Sequence, residues 1–297
     1  MGQARTLIFG CGYLGRRAAR LLLTRGDHVF GTTRTPARGS ELAALGIEPV
    51  LADVLDPSTL DGLPEVDAVL YCVGFDRSAG RPIPEVYVGG LSHALDRLAG
   101  RVGTLVHASS TGVYGGDHGD WVDETSPTDP RTESGRACLE GEGLVRDWEA
   151  NGPGRATILR FSGLYGPGRV MRRDSLLRGE PVVGDPEKFL NLIHIDDAAS
   201  ASVAALDAAG TGALYLISDD RPSPRREFYA RVAEALGAPP PRFRPPAPGS
   251  PESSREGSNK RVSNRRMHAD LGVALRYPDI EAGVPAALLG DASGVGS

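Results

Sequence analysis

The sequence predicts an α/β fold: a doubly wound parallel sheet with a smaller lobe interleaved at its C-terminal end. Two observations carry this. Short apolar runs alternate with amphipathic helical patterns through the first half of the 297 residues. Strands that alternate with helices form parallel sheets covered on both faces. At the first strand-to-helix junction stands Gly10-Cys11-Gly12-Tyr13-Leu14-Gly15, a G-x-G-x-x-G run between an apolar segment over 6–9 and a helical pattern over 16–23. A composition of 40% hydrophobic and 24% charged residues is that of a soluble globule large enough for one α/β domain with an appended lobe.

The elements follow in order. Strands are expected over 6–9, 29–33, 48–51, 68–73, 104–109 and 156–161. Helices are expected over 14–25, 36–45, 84–98 and 135–150. After Phe161 the texture changes, with loops such as Tyr165-Gly-Pro-Gly168 and Gly184-Asp-Pro186 between short elements. Helices are expected over 196–208 and 224–236, and a strand over 213–217. The stretch 239–251 is dense in proline and reads as an extended connector. This divides the chain into a dinucleotide-binding domain over 1–165, a smaller substrate lobe over 166–290 and a flexible tail over 291–297.

The glycine run implies a Rossmann-type dinucleotide site. Gly10 permits the tight turn, Gly12 lets the backbone approach a pyrophosphate, and Gly15 lets helix and strand pack closely. Cys11, Tyr13 and Leu14 complete the loop, which delivers the phosphates to a helix N-terminus. Such loops are followed about 20 residues on by an acidic residue that holds the ribose of NAD. Here the second strand ends in Thr32, Thr33 and Arg34, with Arg38 beyond and no carboxylate before Glu41. A guanidinium beside a hydroxyl suits a 2′-phosphate, so NADP is the expected cofactor, with NAD the alternative. Asp53 and Val54 follow the third strand toward the adenine, and Asp56 reads as a helix cap before Pro57. Cys72, Val73 and Gly74 end the fourth strand along the cofactor.

Four further stretches carry a resemblance: Ser109-Ser-Thr-Gly-Val-Tyr-Gly115, Leu159-Arg-Phe-Ser-Gly-Leu-Tyr-Gly-Pro-Gly168, Asn191-Leu-Ile-His-Ile-Asp-Asp197 and Tyr277-Pro-Asp-Ile-Glu-Ala-Gly283. With the glycine loop and Asp53 they resemble the extended short-chain dehydrogenase/reductase family, the NAD-dependent epimerase/dehydratase-like group, over nearly the whole chain. The resemblance implies a serine that polarises a substrate oxygen, and a Tyr-x-x-x-Lys pair one helix later that moves the proton. Ser110 matches the serine. Ser134 stands where the tyrosine belongs and Cys138 where the lysine belongs, and the chain contains no Tyr-x-x-x-Lys. Tyr87 replaces a structural asparagine, and Gly163 falls near an asparagine that contacts nucleotide-sugar phosphates. These departures resemble the atypical subgroup that keeps the nucleotide site without the usual catalytic set.

The candidate catalytic residues are therefore Ser110, Tyr87 and Tyr114, with His118 also in range along the loop; packing is the alternative reading of Tyr87. Ser109 is assigned to the cofactor. Ser110, Thr111, Gly163 and Arg169 are assigned to the substrate, with Arg160, Arg172 and Arg173 expected at the cleft mouth. Lys260-Arg261 matches a family stretch expected to close over the cleft. His194 with Asp196 and Asp197 reads as a helix start, one aspartate capping and the histidine packed at the lobe interface.

The net charge of −5 and the lack of a basic cluster argue against nucleic acid. No apolar run reaches membrane-spanning length. Cys11, Cys72 and Cys138 have neither metal nor redox spacing, so no metal and a reducing, cytoplasmic setting are expected. The first strand starts by Thr6, which argues against a signal peptide. The expected function is an NAD(P)-dependent oxidoreductase or epimerase-like enzyme acting on a small polar or nucleotide-linked carbonyl or alcohol. A non-catalytic NADP-binding redox sensor or regulatory protein is the alternative. The partner is a small-molecule substrate, and the resemblance implies a homodimer through the helices over 84–98 and 135–150.

Overall fold

A computed structural model describes residues 3–208, 213–247, 249–250 and 258–292, without the side chains of 290–292. Strand β1 (Arg5–Phe9), helix α1 (Gly15–Thr24), β2 (His28–Thr33), α2 (Pro36–Ala44), β3 (Glu48–Leu51) and β4 (Ala68–Tyr71) open the chain. A π-helical turn, Glu85–Gly89, leads into α3 (Gly90–Leu98), and β5 (Thr104–Ser110), β6 (Asp120–Val122), α4 (Glu133–Asn151) and β7 (Arg155–Phe161) follow. The second part holds β8 (Gly163–Tyr165), α5 (Arg173–Leu177), β9 (Val182–Val183), β10 (Phe189–Leu190), β11 (Leu192–His194), α6 (Ile195–Asp207) and β12 (Leu214–Ile217). It closes with β13 (Ser223–Pro224), α7 (Arg225–Leu236), β14 (Phe243–Arg244), β15 (Lys260–Val262), α8 (Arg265–Leu271) and α9 (Ile280–Ala292).

Seven strands make one parallel sheet in the order β12-β7-β5-β4-β1-β2-β3. The chain winds outward from β1 in one direction, then returns to β4 and winds outward in the other. Between β1 and β4 the winding reverses, and ligands of such sheets bind in the crevice at the strand carboxyl ends there. The period of two along β1 decides the layers. Ile8 joins the cluster under α1 and α6, with Ala18, Leu22, Ala198 and Ala205. Leu7 and Phe9 face the other way, onto Leu91, Ala94 and Leu98 of α3 and Val145 of α4. Both sheet faces are covered, which is why these strands are continuous apolar runs.

The lobe has its own core, where Tyr165, Leu176, Phe228, Val232 and Val284 meet. Two-stranded ladders pin it: β8 with β11, β9 with β14, β10 with β13 and β6 with β15. The strand expected over 213–217 does not stay in the lobe. It pairs with β7 and becomes the edge strand of the main sheet. The lobe is thus interleaved, since α6 and β12 return to the first domain. The connector is extended at Phe243–Arg244; residues 248 and 251 of it lie outside the described residues. Helix α9 continues to Ala292, past the start of the expected tail, and 293–297 lie outside the described residues. Among the described residues no helix is long and apolar enough to cross a membrane.

Helix α4 opens against the turn that follows β5. A Cβ on Gly135 would lie 2.4 Å from the Gly112 carbonyl oxygen, so only glycine allows this approach. Gly135→Ala is expected to lose about 1–3 kcal/mol of stability, despite the better helix propensity of alanine. Urea unfolding of the two proteins measures it.

Candidate functional site

The glycine loop leaves the carboxyl end of β1. Gly10 has φ +79°, and a Cβ there would lie 2.6 Å from the Cys72 carbonyl and the Val73 Cα. A Cβ on Gly15 would lie 2.7 Å from the Gly10 carbonyl. Both glycines are thus required by close backbone approach. The Cys72 thiol reaches the Phe9 and Gly10 carbonyls at 3.3 and 3.4 Å, and Cys11 is buried over Gly31 of β2. Burial pushes the Cys11 thiol up to about 11 and Cys72 higher still, so both act as packing groups. Helices α2, α4 and α6 are capped by the Thr35, Thr132 and His194 side chains, but α1 has no side-chain cap and no acid in its first turn. Its positive dipole end, with no carboxylate set against it, suits a pyrophosphate, so the loop fits a dinucleotide. Leu14 is buried, while the Tyr13 ring lies beneath the Arg17 and Arg169 guanidinium groups at 4.4 and 5.5 Å.

Along the rim, Thr32 accepts from the Gly10 N–H at 3.2 Å and so braces the loop from below. Thr33 ends β2. Arg34 is exposed and pairs with Asp76 at 3.3 Å, and Asp76 also accepts from Ser78. Since β1 lies between β2 and β4, this pair spans the carboxyl end of β1. Arg38 pairs with Glu41 at 3.5 Å. Asp53 accepts from the Leu55 N–H through Oδ1, Val54 is packed against Gly90, and Asp56 caps the following turn. Nothing lies within 4 Å of a Cβ built on Gly74, so the end of β4 is open there. Among the described residues no group of three or more His, Cys, Asp or Glu side chains is placed to hold a metal.

Strand β5 is anchored from behind. Glu142 of α4 is fully buried and receives two hydrogen bonds from Arg160, at 2.8 and 2.6 Å, and one from Ser109 at 2.7 Å. Arg146 adds a third partner at 3.0 Å. These donors hold the Glu142 carboxyl below its usual range against the opposing effect of burial. Ser109, assigned to the cofactor, thus spends its hydroxyl on Glu142. Arg160, expected at the cleft mouth, is 3% exposed. Its third contact is the Tyr114 hydroxyl at 2.5 Å, and that hydroxyl donates to the Asp123 carbonyl at 2.8 Å. Tyr114 therefore belongs to the framework: both hydrogen-bonding roles of its phenol are filled inside the core. His118 is turned to solvent and pairs with Asp117. Arg172 and Arg173 lie at the start of α5, where Arg173 pairs with Asp174.

Ser110 ends β5. Its Oγ accepts from the Gly112 N–H at 3.0 Å, which leaves the hydroxyl hydrogen to donate. Thr111 is buried in the same turn. Ser134 shares a 3.2 Å hydrogen bond with Thr132, the α4 cap. Tyr87 stands in the π-turn, half-buried, with its ring edge-on to Phe75 at 6.2 Å. Burial raises its pKa most, and Cys138 adds to that. The Phe75 backbone hydrogen bond and the Arg169 cation pull it back. Burial wins, so this phenol is harder to ionise than a free one. Gly163 is exposed at the lobe junction, its N–H bonded to the Asn191 carbonyl.

At the lobe interface His194 is itself the α6 cap, its Nδ1 accepting from the Asp196 N–H at 3.3 Å. The aspartates do other work than the expected capping. Asp196 pairs with Arg17 of α1 at 3.2 Å, and Asp197 accepts from the Arg276 and Tyr277 N–H groups at 2.8 and 2.9 Å. Glu142 and Asp76 went unnoticed in the sequence. Glu142 lies four residues after Cys138, one turn along the same helix face. Asp76 carries no local signal, because its partner arrives from another strand.

Comparison with known proteins agrees with the fold. The family model described as NAD dependent epimerase/dehydratase family matches residues 6–218. The Escherichia coli protein YeeZ is 35% identical over 285 residues, 93% of this chain and 97% of its own length. A 3-diazoavenalumate denitrifying reductase of Streptomyces is 29% identical over 82% of this chain and 85% of its own length. Among solved structures, UDP-glucose 4-epimerase of Thermotoga maritima with UDP-glucose superposes with a TM-score of 0.83 at 18% identity. The match covers 98% of this chain and 99% of that one, a likeness of fold.

One buried group on β5 makes stability depend on pH. His107 lies 5.8 Å from the Tyr71 ring, its Nδ1 has no hydrogen-bond partner, and burial holds its pKa down to about 4. The unfolded chain takes up this proton near the ordinary value of 6.5, so stability is lost as pH falls through the window between the two. Between about pH 7 and 4.5 the wild type is expected to lose about 2–3 kcal/mol more than His107→Gln. Denaturant titrations across pH read the difference.

Proposed function

The chain belongs to the NAD-dependent epimerase/dehydratase family of extended short-chain dehydrogenases and reductases, and on that footing we propose an NADP-dependent oxidoreductase in which Tyr87 handles the proton. Its substrate is a small polar or nucleotide-linked carbonyl or alcohol. The reading is supported by elimination along the crevice: Ser110 keeps a hydroxyl hydrogen to donate, Tyr114 and Ser134 are committed elsewhere, and Tyr87 is the half-buried phenol left beside Phe75.

Bound in the groove, the dinucleotide supplies or accepts the hydride. Ser110 donates its hydroxyl hydrogen to the substrate oxygen, its orientation set by the Gly112 N–H. In the reductive direction the carbonyl carbon gains the hydride while the O–H bond of Tyr87 breaks and its proton passes to the carbonyl oxygen. Arg169 stabilises the phenolate left behind, and solvent returns the proton. Neither Ser134, tied to the α4 cap, nor Tyr114, filled on both sides, competes for this role. Arg34 reaches for the 2′-phosphate at the end of β2, where no carboxylate of that strand opposes it.

Two outcomes test the reading. In a screen of NADPH oxidation over sugar nucleotides, quinones and small carbonyl compounds, Tyr87→Phe is expected to lower kcat about 10²–10⁴-fold with NADPH affinity kept. Equal turnover in the variant removes Tyr87 from the proton path. By calorimetry, Arg34→Ala is expected to weaken NADPH roughly tenfold or more and leave NADH nearly unchanged.

A further inference from the structure

Lys260 is one of two lysines in the chain, the other being Lys188. It is 9% exposed. It opens β15, beside Asp120 of β6. Its Nζ donates to the Tyr114 carbonyl and to the Ser258 hydroxyl, each at 3.0 Å. No carboxylate among the described residues pairs with it, and burial alone pulls its pKa down to about 8. Two neutral acceptors supply dipoles but no countercharge, and one of the three ammonium N–H bonds has no acceptor among the described residues. A buried cation left so is costly.

Its neighbours are the two segments assigned to substrate. Tyr114 closes the turn that starts at Ser110, its N–H bonded to the Thr111 carbonyl. On the other side, Asn191 grips both ends of β15. Its Nδ2 donates to the Lys260 carbonyl at 2.9 Å, and its Oδ1 accepts from the Val262 N–H at 2.7 Å. The Asn191 carbonyl in turn receives the Gly163 N–H at 2.9 Å. The next cation is committed elsewhere. Arg261 donates to the Gly119 carbonyl at 2.7 Å, and its guanidinium lies between the Trp121 and Phe189 rings at 5.1 and 5.2 Å.

We propose that Lys260 binds an anionic group of the substrate, a carboxylate or a phosphate, at the seam between the Ser110 turn and the Gly163 junction. The anion accepts the remaining N–H bond and supplies the missing charge. This rests on the reading that substrate lies against Ser110, and it narrows that substrate to an anionic carbonyl compound or alcohol.

The two-lysine composition makes the test direct. Protein labelled with ¹³C-lysine shows two Cε resonances, assigned through Lys260→Met. Replacing a buried charge by an apolar side chain of similar shape is often neutral or stabilising, so this variant is expected to fold. With NADPH in excess to fill the glycine loop, inorganic phosphate and acetate are titrated separately. The Lys260 resonance is expected to shift saturably with at least one, while Lys188 moves only weakly. Lys260→Met weakens that anion about tenfold or more by calorimetry, and Lys260→Arg retains part of the affinity. A Lys260 resonance that neither anion moves overturns the proposal. If no compound in the carbonyl screen turns over but Lys260 still titrates, the oxidoreductase reading fails and the anion site stands. If turnover is found and Lys260→Met leaves KM for carboxylated or phosphorylated substrates unchanged, the site fails and the oxidoreductase reading stands.

Discussion

The turn that carries Ser110 into the crevice is held by the buried ion pair between Arg160 and Glu142. One partner comes from β7, the other from the middle of α4, and Ser109 of β5 shares the carboxylate. The guanidinium then reaches Tyr114, which ends the turn carrying Ser110. Three elements and one turn thus have their relative positions set by a single charged contact. Burying two charges is expensive, and losing one partner strands the other, at a cost of about 3–5 kcal/mol. That asymmetry makes the pair a constraint on geometry rather than a simple source of stability.

Much of the fold was legible because it is periodic. Alternation along β1 sorts Leu7 and Phe9 from Ile8, and the same pattern identifies the other central strands. The glycine loop was legible because each glycine answers a local steric demand. Side-chain direction at the site was less so. Arg160 looks like a cleft arginine until a glutamate 18 residues earlier in the chain turns it inward. Tyr114 reads as a free phenol until Arg160 and Asp123 claim it. Likewise, β12 leaves the lobe for the sheet because β7 offers an open edge, which no short window of sequence contains.

The lost Tyr-x-x-x-Lys shows a related limit. In that motif the acid and its cation lie one helical turn apart, so sequence alone identifies both. On the proposed reading the phenol rises instead from the π-turn before α3, and α4 has Cys138 where the motif has its lysine. A π-turn adds a residue to one turn of helix and displaces the side chains around it. On that reading, a function local in the chain becomes one that only tertiary structure assembles.

The pair between Arg34 and Asp76 bears on cofactor choice. It crosses the carboxyl end of β1 from one neighbouring strand to the other, like a latch over the groove. Both side chains are exposed, so parting them costs about 1 kcal/mol or less. The guanidinium is thus already engaged with an anion, though only loosely. Under the NADP assignment, a 2′-phosphate does not capture a free arginine; it displaces an aspartate. Cofactor choice at this rim then becomes an exchange of one anion for another, with a balance that salt shifts by screening both.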